Sequence, residues 1–285
     1  MTRPAAPACL RDRIGIDLGR RMRIEDGIAW AREHGVRFID IQLDTADNAF
    51  NRIDAGRAGA IRAACAAGGI ELGLHTLSAV NVGEYSPFVA EGVDRYLEGY
   101  VDTCAALDAR WIVVHAGYHF GKDKPMRMEA GLERLKRVVA RAEAKGVTLL
   151  LENLNKEPDD AEVQYLAHTL EEWRYYTDRI ISPHLRLSFT ANHAHLEPDG
   201  IEGFVAALDF SRVAEVRLAD CFRNGKEEHL VPGQGNLDFG AMFRMIEAKG
   251  FTGHYTNAFG TVEDMLAARD TLVASARKAG VDVGE

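Results

Sequence analysis

Residues 147–155 read Val147-Thr148-Leu149-Leu150-Leu151-Glu152-Asn153-Leu154-Asn155. The apolar run is too short for a helix and shows no polar alternation. It therefore reads as a strand buried on both faces, as in a parallel sheet covered by helices. The strand stops at a carboxylate and two amides. A carboxylate at the end of a dry strand is costly unless a cation or hydrogen-bond donor meets it. What meets Glu152 is the question the rest of the chain answers.

Seven further segments read as strands. They are Arg13–Leu18, Val36–Leu43, Ile70–His75, Trp111–His115, Leu185–Phe189, Val213–Leu218 and His254–Asn257. Helical patterns alternate with them. One, from about Ile24 to His34, is closed by Gly35, and an alanine-rich one from Ala55 to Ala67 is stopped by Gly68-Gly69. A third runs from about Phe88 to Leu107 with Val93, Leu97, Tyr100, Val101 and Cys104 on one stripe. The fourth carries Leu132, Leu135, Val138, Val139 and Ala142 and ends at Gly146. Thr169-Leu170-Glu171-Glu172 reads as a capping box opening the next. Short helices follow near Ile201–Leu208 and Phe239–Lys249, and the last spans Thr261–Lys278.

Eight strand–helix units without a composition break predict a single (β/α)₈ TIM barrel over residues 1–285, with residues 1–12 as a loose N-terminal extension. In such a barrel the C-terminal strand ends meet around one mouth. His75, His115, Glu152, Thr190, Arg217 and Asn257 would converge there.

Composition narrows the function classes. The formal net charge is −9, so a phosphate backbone would meet net repulsion, and nucleic acid is not an expected partner. No stretch has the apolar length of a membrane span or a secretory signal, so no membrane partner and a cytoplasmic location are expected. Cys9, Cys65, Cys104 and Cys221 show no paired spacing and read as free thiols. The expected partner is a small-molecule substrate, with homo-oligomer formation left open.

Strand-end His75, His115 followed by Gly117, Glu152-Asn153-Leu154-Asn155, Asn192-His193-Ala194 and the Asp220–Gly235 loop together resemble the xylose isomerase-like barrel superfamily. That superfamily holds sugar isomerases and epimerases, related dehydratases and the endonuclease IV type of repair enzyme. The resemblance implies a divalent metal at the mouth, held by a Glu on the fifth strand, an Asp on the sixth, a His on the seventh and a Glu on the eighth. Here those places read Glu152, Thr190, Arg217 and Asn257.

An arginine does not ligate metals. The expectation is therefore a pocket without the usual metal or any other cofactor, in which Arg217 pairs with Glu152 and stands in for the cation. Glu152, His115, His193 and Arg217 are the expected catalytic residues. Substrate contacts are expected from His75, Thr190, Asn192, Asp220, His229 and Asn257. The implied reaction is sugar isomerisation or epimerisation, by proton abstraction next to the carbonyl of a small polyhydroxy or keto-acid compound, with Glu152 as base.

Two alternatives stand beside it. One is a non-catalytic ligand-binding or partner-subunit relative. The other is a metal-dependent lyase, dehydratase or endonuclease IV-like enzyme. That enzyme would hold Zn, Mn or Mg on flanking residues, either His75, His115 and Glu152 or His193, Glu227 and His229.

Overall fold

The computed structural model describes residues 9–284. Eight parallel strands close into a barrel: Ile14–Gly19, Phe38–Ile41, Glu71–His75, Trp111–Val114, Leu149–Glu152, Leu185–Thr190, Val213–Leu218 and His254–Asn257. Each strand pairs with the next in sequence, and the eighth closes on the first through Ile14–Tyr255 and Ile16–Asn257. The single (β/α)₈ TIM barrel expected from the strand–helix alternation is the observed fold. Among the described residues no helix is long and apolar enough to cross a membrane.

The expected loose extension lies partly outside the described residues. Within them, Leu10–Arg13 forms a short helix, Leu10 is buried, and its N–H donates to Val283 O at 2.8 Å. The expected capping box at Thr169 is half formed. The Thr169 hydroxyl accepts from Glu172 N, but the Glu172 carboxylate accepts from Ala167 N and pairs with Lys124.

Side-chain alternation sorts the barrel into two apolar regions. Ile112, Val114, Leu149 and Leu151 point outward into the main core beneath the helices. Their neighbours Trp111, Val113 and Leu150 point inward and form a separate plug with Phe38 and Ala214. Trp111 needs space that only a glycine opposite can leave. A Cβ on Gly73 would sit 2.2 Å from the indole and 2.3 Å from Asp40 Oδ1. Gly73→Ala should therefore destabilise the protein by about 3 kcal/mol, the upper part of the overpacking range, read as a lowered urea midpoint. An unchanged midpoint would mean that the plug is not packed as described.

Above the plug the barrel interior is charged rather than apolar. The Trp111 indole donates to Asp40 Oδ1 at 2.9 Å, and Asp40 and Glu215, both fully buried, carry the lattice upward to the mouth.

Candidate active site

At the mouth, Glu152 ends the fifth strand in near-complete burial and meets two imidazoles. His115 Nε2 lies 3.0 Å and His75 Nε2 3.5 Å from Glu152 Oε2, and the two nitrogens are 3.2 Å apart. Thr190 donates its hydroxyl to the other carboxylate oxygen, fixing the carboxylate plane. Thr76 Oγ1 donates to Val113 O and lies 3.3 Å from His115 Nδ1. The Thr76 hydroxyl can then only accept from His115 Nδ1–H, which leaves the His115 Nε2 lone pair facing the cluster.

Two acceptors, the His115 Nε2 lone pair and Glu152 Oε2, thus point at one small volume, and they repel unless a positive charge sits beside them, which the protonated His75 can supply and a cation could replace. Burial pushes His115 down, toward the neutral imidazole. Burial and Arg217 push His75 down as well, but Asp17 and Glu152 outweigh them and hold its imidazolium up to about 9. Burial alone would raise Glu152. The His115 and His75 rings beside it, with Arg217 nearby, instead hold it well below the usual carboxylate range. A carboxylate so strongly held in its anionic form is a good anchor for a cation and a poor proton acceptor.

Arg217 does not take the place expected of it. Its Nη1 donates to Asp40 Oδ2 at 2.6 Å and Glu215 Oε1 at 3.1 Å, and its Nη2 binds Asp17. The nearest approach to Glu152 is 3.9 Å, from Nε. The guanidinium charge is therefore answered chiefly by three acids within the barrel, and the expected Glu152–Arg217 pair is present only as a long contact without a hydrogen bond. Burial would raise Glu215, but Arg217 and then His254 hold it down. Burial and the Glu215 charge together push Asp40 well up, despite Arg217.

Two other expected contacts are placed elsewhere. Asn257 points into the helix layer, where its Nδ2 donates to Met265 O at 2.8 Å. Its neighbour Thr256, level with Arg217 on the adjacent strand, is the inward residue. Asp220 accepts from the backbone N–H groups of Cys221, Gly233, Gly235 and Leu237 and so pins its loop. It does not line the cavity. The four-residue metal cage of the resemblance is consequently not formed: one member is a cation, one is turned away, and Thr190 spends its proton on Glu152.

The opposite wall carries a second convergent group. His193 donates Nδ1–H to Asn153 O at 2.8 Å, and His229 donates Nδ1–H to Ala258 O at 2.6 Å. Backbone carbonyls only accept, so both rings present an Nε2 lone pair, and both face Glu227 Oε1, which lies 3.7 Å from His193 and in close contact with His229. Burial notwithstanding, the two imidazoles hold Glu227 far down, and Glu227 in turn raises His229. Both trios have ligand atoms close enough together to hold a metal ion.

A cavity of about 340 Å³ joins the two groups, with Asn192 also on its wall. Neither amide atom of Asn192 has a partner in the protein. Asp17, Gln42, Ser78, Tyr165 and Arg21 line the same cavity without having been expected there. So does Glu157. His195 lies apart and contacts Asn236.

A family model described as "xylose isomerase-like TIM barrel" matches residues 28–274. No curated protein matches the sequence. Among solved structures, a D-tagatose 3-epimerase-like protein superposes with a TM-score of 0.80 at 18% identity, covering 94% of this chain and 98% of that one. D-psicose 3-epimerase from Clostridium cellulolyticum H10 gives 0.76 at 17% identity, covering 94% and 99%. An L-ribulose 3-epimerase gives 0.72 at 20% identity, covering 94% and 97%. At these identities the likeness is one of fold.

Proposed function

The chain belongs to the xylose isomerase-like TIM barrel family, and from that premise we propose that it is a divalent-metal-dependent enzyme. In this reading it removes a proton next to the carbonyl of a small polyhydroxy compound. One observation carries it: His75 Nε2, His115 Nε2 and Glu152 Oε2 all lie within 3.5 Å of one another, close enough together to hold one cation. Two imidazoles and a carboxylate are the donor set of borderline cations such as zinc or manganese. The sugar epimerases among the structural neighbours support the substrate class.

A cation on His75, His115 and Glu152 would supply a Lewis acid for the substrate's carbonyl oxygen. The remaining work belongs to the opposite wall. With its Nδ1–H committed to Asn153, His193 offers Nε2 as the base and takes the proton from the carbon beside the carbonyl. The C–H electron pair moves toward the carbonyl oxygen. Glu227, held ionised, stabilises the resulting imidazolium, and His229, whose proton affinity Glu227 raises, can return a proton. Return to the same carbon from the other face gives an epimer, and return to its neighbour an isomer. Expulsion of a β-hydroxyl instead gives elimination.

The measurement is solvent-deuterium exchange into candidate ketoses and keto acids with metal supplied. Deuterium should appear beside the carbonyl, and His193→Gln should slow its appearance by about 10²–10⁴-fold, the usual worth of a positioned base. Tight binding without exchange would instead mark a non-catalytic relative and defeat the proposal. A second reading is favoured by the matched carbonyl anchors of His193 and His229, which are also what orients metal-bound imidazoles. In that reading the second trio holds a cation too, and stoichiometry separates the two.

A further inference from the structure

We infer that the substrate carries an anionic group, a carboxylate or phosphate, held at the rim of the mouth by Arg21. The inference rests on the proposed function, because it names the chemical class bound in that same cavity. Two arginines line the cavity. The guanidinium of Arg217 is enclosed by Asp17, Asp40 and Glu215 and has no charge to spare for a ligand.

Arg21 differs in every respect. Its side chain is exposed, and its hydrogen bonds are to backbone carbonyls, Nη1 to Asp17 O at 3.4 Å and Nη2 to Gly260 O at 3.1 Å. Among the described residues Arg21 forms no ion pair, whereas its neighbour Arg23 lies 3.8 Å from Glu25. Carbonyl contacts orient a guanidinium without neutralising it, and Asp17, the acid on the same wall, is already paired with Arg217. The remaining N–H groups form the planar fork that carboxylates and phosphates match. The tight turn before it contributes. Gly19 has φ +51°, and a Cβ there would lie 3.5 Å from Arg21 Nη1 and 3.3 Å from Asp17 Oδ1.

The charge layout also gives the ligand a direction. Arg21 stands on the first-strand side of the cavity, while Glu157 and Glu227 stand on the side of the fifth and seventh strands. An anionic end is repelled from one wall and attracted to the other, which leaves the uncharged carbonyl end beside the His75, His115 and Glu152 group. In a chain with a net charge of −9 this positive rim is local, so it acts by position rather than by long-range steering.

Calorimetric titration of the metal-supplied protein at constant ionic strength tests this with three probes of one chain length: D-gluconate, D-glucitol 6-phosphate and D-glucitol. At least one anionic probe should bind about tenfold or more tighter than D-glucitol. Whichever anion is preferred identifies carboxylate or phosphate as the group recognised. A bound cation also attracts anions, so the variants decide. In Arg21→Gln the gap should collapse, and Arg21→Lys should restore part of it. Equal binding of all three probes overturns the inference of an anionic group, and a gap that survives in Arg21→Gln overturns Arg21 as the residue that holds it. Binding of none of the three overturns the proposed function, and this inference with it.

Discussion

Arg217→Met is expected to lower the melting temperature by about 6–20 °C at pH 8, the equivalent of roughly 3–5 kcal/mol for a buried ion pair broken on one side. The guanidinium is almost fully buried and contacts Asp17, Asp40 and Glu215. Removing it leaves three carboxyl groups crowded in a water-poor barrel, with only His75 beside Asp17 and His254 beside Glu215 as partial counterions. Each would then bind its proton more tightly in the folded than in the unfolded state. A carboxyl group raised in the fold stabilises it as pH falls, so the deficit should shrink between pH 8 and pH 5. Thermal melts of wild type and variant at both pH values supply the test. Equal melting temperatures at pH 8 would mean that the cage does not depend on this arginine.

Glu152→Gln is expected to act on binding and turnover more than on stability. Gln can still accept the Thr190 hydroxyl bond, and its volume is nearly the same, so the fold should persist. The anionic oxygen facing His75 and His115 is lost. Changes to groups one layer outside a metal already cost about 10–100-fold in affinity, so loss of a direct ligand should cost at least about 100-fold. Turnover should fall by about 10³-fold or more if the cation polarises the carbonyl. A variant that keeps its metal affinity while losing turnover would return Glu152 to the role of base.

The barrel was legible because eight apolar strands each announce themselves locally and consecutive strands pair. The two metal-competent trios were legible too, since strand-end histidines at 75 and 115 and the His193, Glu227 and His229 set stand out by residue type. Arg217 was misplaced for want of its partners. Asp40 lies 177 positions away in sequence and Asp17 lies 200 away, distances that no local pattern spans.

A signal existed nonetheless. Ile39-Asp40-Ile41 alternates so that the acid faces inward, and Glu215 is two residues from Arg217 on the same face of its strand. Asn257 was displaced by a shift of one residue, which in a strand reverses the face. The alternation of His254 and Thr256 inward with Tyr255 and Asn257 outward was the available clue. Asp220 looked like a site residue because its loop resembles the family, but its carboxylate is occupied by backbone donors that only the folded loop brings together.

The most direct measurement is elemental analysis of protein purified without chelator, paired with zinc and manganese titration of the stripped protein. The wild type should bind a divalent cation at about one equivalent per chain, or about two if the His193, Glu227 and His229 group is also filled. The double variant His115→Ala, Glu152→Gln should lose about one equivalent while still melting cooperatively. Wild-type protein that binds no divalent cation, or a double variant with undiminished stoichiometry, would contradict a metal centre on His75, His115 and Glu152.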